Sequence, residues 1–194
     1  MRRAVAVILA VVALAACGGG ERELVGLERD PAPQVDAVAL PDVSRDGAPF
    51  EFRAEPGGLL AVYFGYTNCP DVCPTTMAAL AQAREGLGDD ADRVGVAMVT
   101  VDPERDTNVL TGYVQSFVDG AHAIATDDVS TLREVAESFG AGFVVEKGAS
   151  GEVSVGHSEY LFAVDDTGRL VVTWPAPTPA DDLEGDLRQL LERV

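Results

Sequence analysis

Leu59-Leu60-Ala61-Val62-Tyr63-Phe64-Gly65-Tyr66-Thr67-Asn68-Cys69-Pro70-Asp71-Val72-Cys73-Pro74-Thr75-Thr76-Met77 is the stretch that decides the fold of this 194-residue chain. Residues 59–66 form an unbroken apolar run, the pattern of a central strand covered on both faces. Residues 74–87 then read as a helix, with Pro74 suited to a first turn and Gly86 or Gly88 to the end. Cys69 and Cys73 sit where strand hands over to helix. Unpaired backbone N–H groups and the positive end of the helix dipole favour a thiolate at such a place. Spacing of i and i+4 sets both sulfurs on one side of the turn, near enough to grip one soft ion.

Outward from this block, helical and strand-like segments alternate. Residues 94–101 read as a second buried strand, ended by Asp102-Pro103, and 107–118 as a helix with Val109, Leu110, Tyr113, Val114, Phe117 and Val118 on one stripe. A short strand is expected at 121–125. A helix should follow at 129–139, capped by Asp127 or Asp128 and stopped at Gly140. Strands are expected at 142–145, 160–164 and 170–174. The turn Asp165-Asp166-Thr167-Gly168 joins the last two as a hairpin, and residues 179–194 close the chain as a helix. With added strands between 35 and 52, the order predicts an α/β fold: a thioredoxin-like mixed sheet flanked by helices, with a C-terminal hairpin plus helix, over residues 35–194.

The N-terminus reads as an address. Met1-Arg2-Arg3 is a positive lead, and residues 4–16 are an uncharged apolar run. Thirteen helical residues rise about 20 Å, short of the roughly 30 Å hydrocarbon core, so this is a signal-peptide segment and not a membrane span. Leu14-Ala15-Ala16-Cys17 followed by Gly18-Gly19-Gly20 resembles a bacterial lipobox. It implies removal of residues 1–16, lipidation of Cys17, and a flexible tether over 17–34. The domain would then hang on the extracytoplasmic face of the cell membrane through its lipid anchor.

Composition narrows the classes. Hydrophobic residues at 47% and charged residues at 24% exclude wholesale disorder. Fourteen Lys and Arg against 32 Asp and Glu, a formal net charge of −18, exclude a nucleic-acid binder, which needs a basic face to displace counterions. With Cys17 lipidated, Cys69 and Cys73 are left in an oxidising compartment as a disulfide, a redox pair or metal ligands. A staple closing so short a ring would stabilise the fold by only about 2 kcal/mol. Three residues lie between the cysteines, where a thioredoxin-type reductant has two. Of the two histidines, His122 opens a short strand and reads as structural or exposed, whereas His157 stands just before the hairpin and is a candidate ligand.

Three blocks in order carry a resemblance: residues 65–75, then Val101-Asp102-Pro103-Glu104-Arg105-Asp106-Thr107, then His157-Ser158 ahead of Tyr160-Leu161. They are similar to the Sco/SenC family over about residues 35–194, departing at Gly156, where many members have Asp. The resemblance implies a membrane-tethered domain that binds copper through Cys69, Cys73 and His157. It also implies a role in building the dinuclear copper centre of cytochrome c oxidase, whose copper-centre subunit would be the partner. Two thiolates and one imidazole suit Cu(I), and with an added ligand Cu(II). A structural zinc site would want a fourth protein ligand. Asp102, at a turn that faces the site in the family, is expected to tune the thiolates by hydrogen bonding, and Asp71 to act as a loop cap. A thiol–disulfide oxidoreductase that keeps cuproenzyme cysteines reduced is the alternative. It uses the same Cys69 and Cys73 and has no need of His157. A peroxide-reducing relative and a purely structural lipoprotein domain complete the set, and a metallochaperone, not an enzyme, is the expectation.

Overall fold

In the computed structural model, which describes residues 22–194, the apolar run becomes β4 of an eight-stranded sheet. In chain order the strands and helices before the centre are β1 (Leu27–Glu28), β2 (Leu40–Asp42), β3 (Ala48–Phe50), β4 (Leu59–Gly65) and α1 (Val72–Gly86). Next come β5 (Val94–Thr100), α2 (Pro103–Asp106), α3 (Leu110–Gln115), β6 (His122–Ile124) and α4 (Val129–Ser138). The chain finishes with β7 (Phe143–Lys147), β8 (Val153–His157), β9 (Tyr160–Val164), β10 (Leu170–Pro175) and α5 (Ala180–Leu191). The sheet order is β1-β10-β9-β4-β5-β6-β2-β3. β4, β5 and β6 run parallel, and β9 runs antiparallel between β4 and β10, which is the mixed thioredoxin-like sheet expected from the order of elements.

The run is apolar throughout because β4 serves two cores. Leu59, Ala61 and Tyr63 face α1, α3 and α5, packing with Met77, Leu80, Val114 and Leu187. Leu60, Val62 and Phe64 face the other way, onto Leu132 and Val135 of α4 and onto Phe52 and Phe139. Every residue of β4 is buried. Asp128, one of the two expected caps, closes the N-terminus of α4 by accepting from the N–H groups of Ser130 and Thr131.

Three segments differ from the sequence reading. The helix expected over 107–118 is shortened to α3, with α2 a separate turn ahead of it: Asp106 is drawn inward to bond Thr67 and Thr100, and the chain restarts at Val109. Residues 153–157, not assigned from the sequence, form β8 and pair with β7 in a separate two-stranded sheet. The described part of the expected flexible tether is docked from Arg22 onward: β1 pairs with β10, and Gln34 bridges to Arg169. Residues 1–16 and Cys17 lie outside the described residues. Among the described residues no helix is long and apolar enough to cross a membrane.

Asp186 of α5 is what holds this lead-in. It is fully buried and accepts from the Gly26 N–H at 2.8 Å, the Val25 N–H at 3.2 Å and the Trp174 indole N–H at 2.8 Å, with the Arg22 guanidinium as its ion-pair partner. Gly26 has no room for a side chain, since a Cβ would stand 2.4 Å from Val172 and 2.5 Å from Trp174. The registers Leu27↔Thr173, Pro175↔Tyr160 and Tyr63↔Leu161 bring the chain in at the C-terminal end of β4. Asp186→Ala is expected to cost about 3 kcal/mol by leaving buried donors unpaired. A denaturant melt checks this, together with new protease cleavage upstream of residue 27; an unchanged midpoint refutes it.

Candidate metal centre

β4 ends at Gly65, and residues 66–71 turn the chain into α1, so Cys69 lies on the turn and Cys73 in the first turn of the helix. Cys73 is fully buried; Cys69 is partly exposed, and both thiols are free. The Cys73 N–H, one of the donors a helix start leaves unpaired, donates to Cys69 Sγ at 3.3 Å. From β4 below, the Tyr63 hydroxyl donates to Cys73 Sγ at 3.5 Å. Gly65 makes space for that sulfur: a Cβ there would stand 3.2 Å from Cys73 Sγ and 2.7 Å from the Tyr63 ring.

His157 reaches the thiols from the end of β8. The base of its hairpin is closed by the Ser158 N–H donating to the Gly142 carbonyl at 2.9 Å and the Gly142 N–H donating to Ser158 Oγ at 3.0 Å. His157 Nδ1 lies 2.9 Å from the Ser158 carbonyl oxygen, which accepts only, so Nδ1 carries the proton. Nε2 is thereby left with its lone pair, 3.8 Å from Cys73 Sγ. The rings of Tyr63 and Tyr66 stand edge-on to the imidazole at 6.1 and 5.8 Å and fix its plane. Metal bonds of about 2.3 Å to sulfur and about 2.0 Å to nitrogen, opened to a trigonal angle, separate the two donors by about 3.7 Å. The pair therefore already has a ligand span. Among the described residues no three His, Cys, Asp or Glu side chains are set to hold an ion as they stand, so Cys69 must adjust to close the site.

The two thiols differ in acidity. Burial opposes ionisation of Cys69, but hydrogen bonds from the Cys73 thiol and from the backbone N–H groups of Asp71, Cys73 and Val72 outweigh it and hold the thiol below its ordinary value. Burial pushes Cys73 up to about 12, and its hydrogen bond to Cys69 adds to the rise. Iodoacetamide at neutral pH is thus expected to alkylate Cys69 at least about 10-fold faster than Cys73. Peptide mapping over time checks this, and equal rates contradict it.

The remaining expected residues are placed as follows. Asp102 is almost buried at the start of α2, but its carboxylate pairs with Arg105 and makes no hydrogen bond to Cys69, Cys73 or His157. The tuning role expected of it does not arise from this arrangement, because Arg105, three residues on, captures the side chain. Asp71 stands before α1 without a side-chain cap; its carbonyl, not its carboxylate, accepts from Thr75. His122 is structural as expected, with Nδ1 2.6 Å from the Asp42 carboxylate and its ring against Phe50. The carboxylate that does support the cysteine turn is Asp106, absent from the expected set. Fully buried, it accepts from the Thr67 N–H at 2.9 Å, the Thr67 hydroxyl at 2.5 Å and the Thr100 hydroxyl at 2.6 Å.

Comparison with known proteins places the sequence and the fold among relatives. The sequence profile of the SCO1/SenC family matches residues 42–192. Apo Sco1 of Thermus thermophilus superposes with a TM-score of 0.76 at 32% identity, over 89% of this chain and 99% of that one. ScoI of Bradyrhizobium japonicum with copper bound superposes with a TM-score of 0.66 at 26% identity, over 78% and 96%. An SCO2-like protein of Rickettsia prowazekii is 27% identical over 130 residues, 66% of this chain and 63% of its own length.

Proposed function

The chain belongs to the SCO1/SenC family, and from that premise we propose that it binds copper through Cys69, Cys73 and His157 and delivers it to the copper-centre subunit of cytochrome c oxidase. One observation carries the reading: the Nε2 lone pair of His157, fixed by the Ser158 carbonyl, faces the buried Cys73 sulfur at 3.8 Å. A dithiol alone has no use for an imidazole held in that tautomer. The donor set supports copper, since two thiolates and an imidazole are soft ligands and their low number leaves a face open for exchange to an acceptor. The copper held by the Bradyrhizobium relative points the same way. Cys17 as a lipid anchor would keep the domain on the extracytoplasmic face of the membrane.

A second reading rests on the unequal thiols. A partly exposed Cys69, its thiol more acidic than ordinary, and a buried Cys73 beside it have the character of an attacking and a resolving thiol. Reduction of cuproenzyme cysteines would use this pair and leave His157 idle.

Copper titration of the reduced protein separates the two, with one copper per chain expected. At neutral pH Cys73 is protonated, so loading must displace at least that proton. Affinity should therefore strengthen at least about tenfold per pH unit between pH 6 and 8. No copper uptake, together with a reversible Cys69–Cys73 disulfide, would move the function to thiol exchange.

A further inference from the structure

The hairpin that carries His157 stands apart from the main sheet. Among the described residues β7 and β8 pair only with each other. A cavity of about 490 Å³ is lined on one side by Phe143, Val145 and Lys147 of β7 and on the other by Val101, Val129 and Leu132. Close packing therefore does not by itself fix where the hairpin sits. The side chains it lays on the core, Phe143 and Val155, are only partly buried.

Two cations tie the hairpin to the body. Lys147 of β7 pairs with Glu104 of α2, but both side chains are exposed, and an exposed ion pair is worth little and is screened by salt. Arg133 of α4 makes the more specific contact. Its Nη1 donates to the Phe143 carbonyl at 3.2 Å, and its guanidinium carbon stands 4.7 Å from the centre of the Phe143 ring. One planar fork thus holds both the backbone and the ring of a single residue. Phe143 is the register partner of His157. Directly opposed residues of an antiparallel pair have Cβ atoms about 5 Å apart. What fixes Phe143 therefore fixes the strand end from which the imidazole projects. A shift of the hairpin moves Nε2 relative to Cys73 Sγ, now 3.8 Å away, and ligand geometry must be held to about 0.5 Å.

We propose that Arg133 is a positioning residue of the metal centre: through Phe143 it seats the β7–β8 hairpin so that the imidazole of His157 faces Cys73 before metal arrives. The inference rests on the metal-binding reading above. It adds a residue of α4 that acts on the site only through the hairpin.

Arg133→Ala tests it. Arg133 is exposed on α4, and alanine is the best helix former, so the variant keeps its helix. Its apo melting temperature should stay within about 2 °C of the wild type. Its Cu(I) affinity, read by competition with a Cu(I) chelator, should fall about 10-fold. The same substitution in a His157→Ala background should change the residual affinity of the two thiols by no more than about twofold, because the ring that Arg133 positions is gone. An equal loss in both backgrounds overturns the proposal, as does unchanged affinity in the single variant. A readout without metal keeps this inference apart from the copper reading. In the apo protein, nuclear Overhauser contacts from the His157 ring to the Tyr63 and Tyr66 rings, whose centroids stand 6.1 and 5.8 Å away, should weaken in Arg133→Ala. Unchanged contacts overturn the proposal. A wild type that takes no copper sinks the copper reading, and the apo contacts then decide whether Arg133 seats the ring.

Discussion

His157→Ala is expected to weaken copper binding by at least about 100-fold while moving the melting temperature of the apo protein by no more than about 2 °C. The large effect follows from what the ring supplies. Loss of a group that only orients a ligand costs 10- to 100-fold in metal affinity, and here a donor atom itself is removed. The small effect follows from position. His157 ends β8, outside the eight-stranded sheet, and the hairpin base is held by Ser158 and Gly142 without it. Competitive titration against a Cu(I) chelator reads the first quantity and a thermal melt the second. Retained affinity would mean that two thiols suffice, and the imidazole would lose its place in the site. Cys69→Ser should leave His157 able to contact Cys73, and so separates loss of a donor from loss of the turn.

The second large effect is expected at Asp106. Its carboxylate ties Thr67, two residues before Cys69, to Thr100 at the end of β5. Asp106→Ala leaves one backbone N–H and two hydroxyls in a buried space without that acceptor. The expected loss is about 3 kcal/mol of stability, with copper affinity down about tenfold as the cysteine turn loosens. Asp106→Asn should recover much of both, because an amide oxygen still accepts and its NH2 can donate to a threonine hydroxyl. Denaturant melts and copper titrations of both variants check this. Equal loss in Asn and Ala would show that the charge, not the acceptor geometry, is what matters.

How much of this was legible follows from which interactions are local. The central strand was readable because burial on both faces leaves no polar position in residues 59–64. The cysteine turn was readable because its spacing and its place after that strand are local facts. β8 carries a fair alternating signal in Val153-Ser154-Val155-Gly156-His157, but its small and polar residues face solvent in part and declare no core. Asp102 and Asp106 are one helical turn apart, and nothing in their order says which turns inward. That is decided by Arg105 capturing the first and Thr67, 39 residues away, receiving the second. The lead-in was opaque for the same reason. Leu24-Val25-Gly26 has no periodicity of its own, and its anchor, Asp186, lies about 160 residues downstream.

That anchor gives the molecule a pivot. The chain enters beside α5, where the Arg22 guanidinium reaches the Asp182 carbonyl at 3.3 Å, at the same end of the sheet as Cys69 and His157. The opposite end is the turn where the Gly57 N–H meets the Asp166 carboxylate. A domain held from upstream of Arg22 swings that far turn through a wide arc, while the thiols revolve on a short radius. The volume a point sweeps grows steeply with its radius. With the domain anchored through Cys17 and carrying copper as proposed above, the cysteine end would search a small neighbourhood around its holding point, and an acceptor standing there would meet the loaded site at high effective concentration.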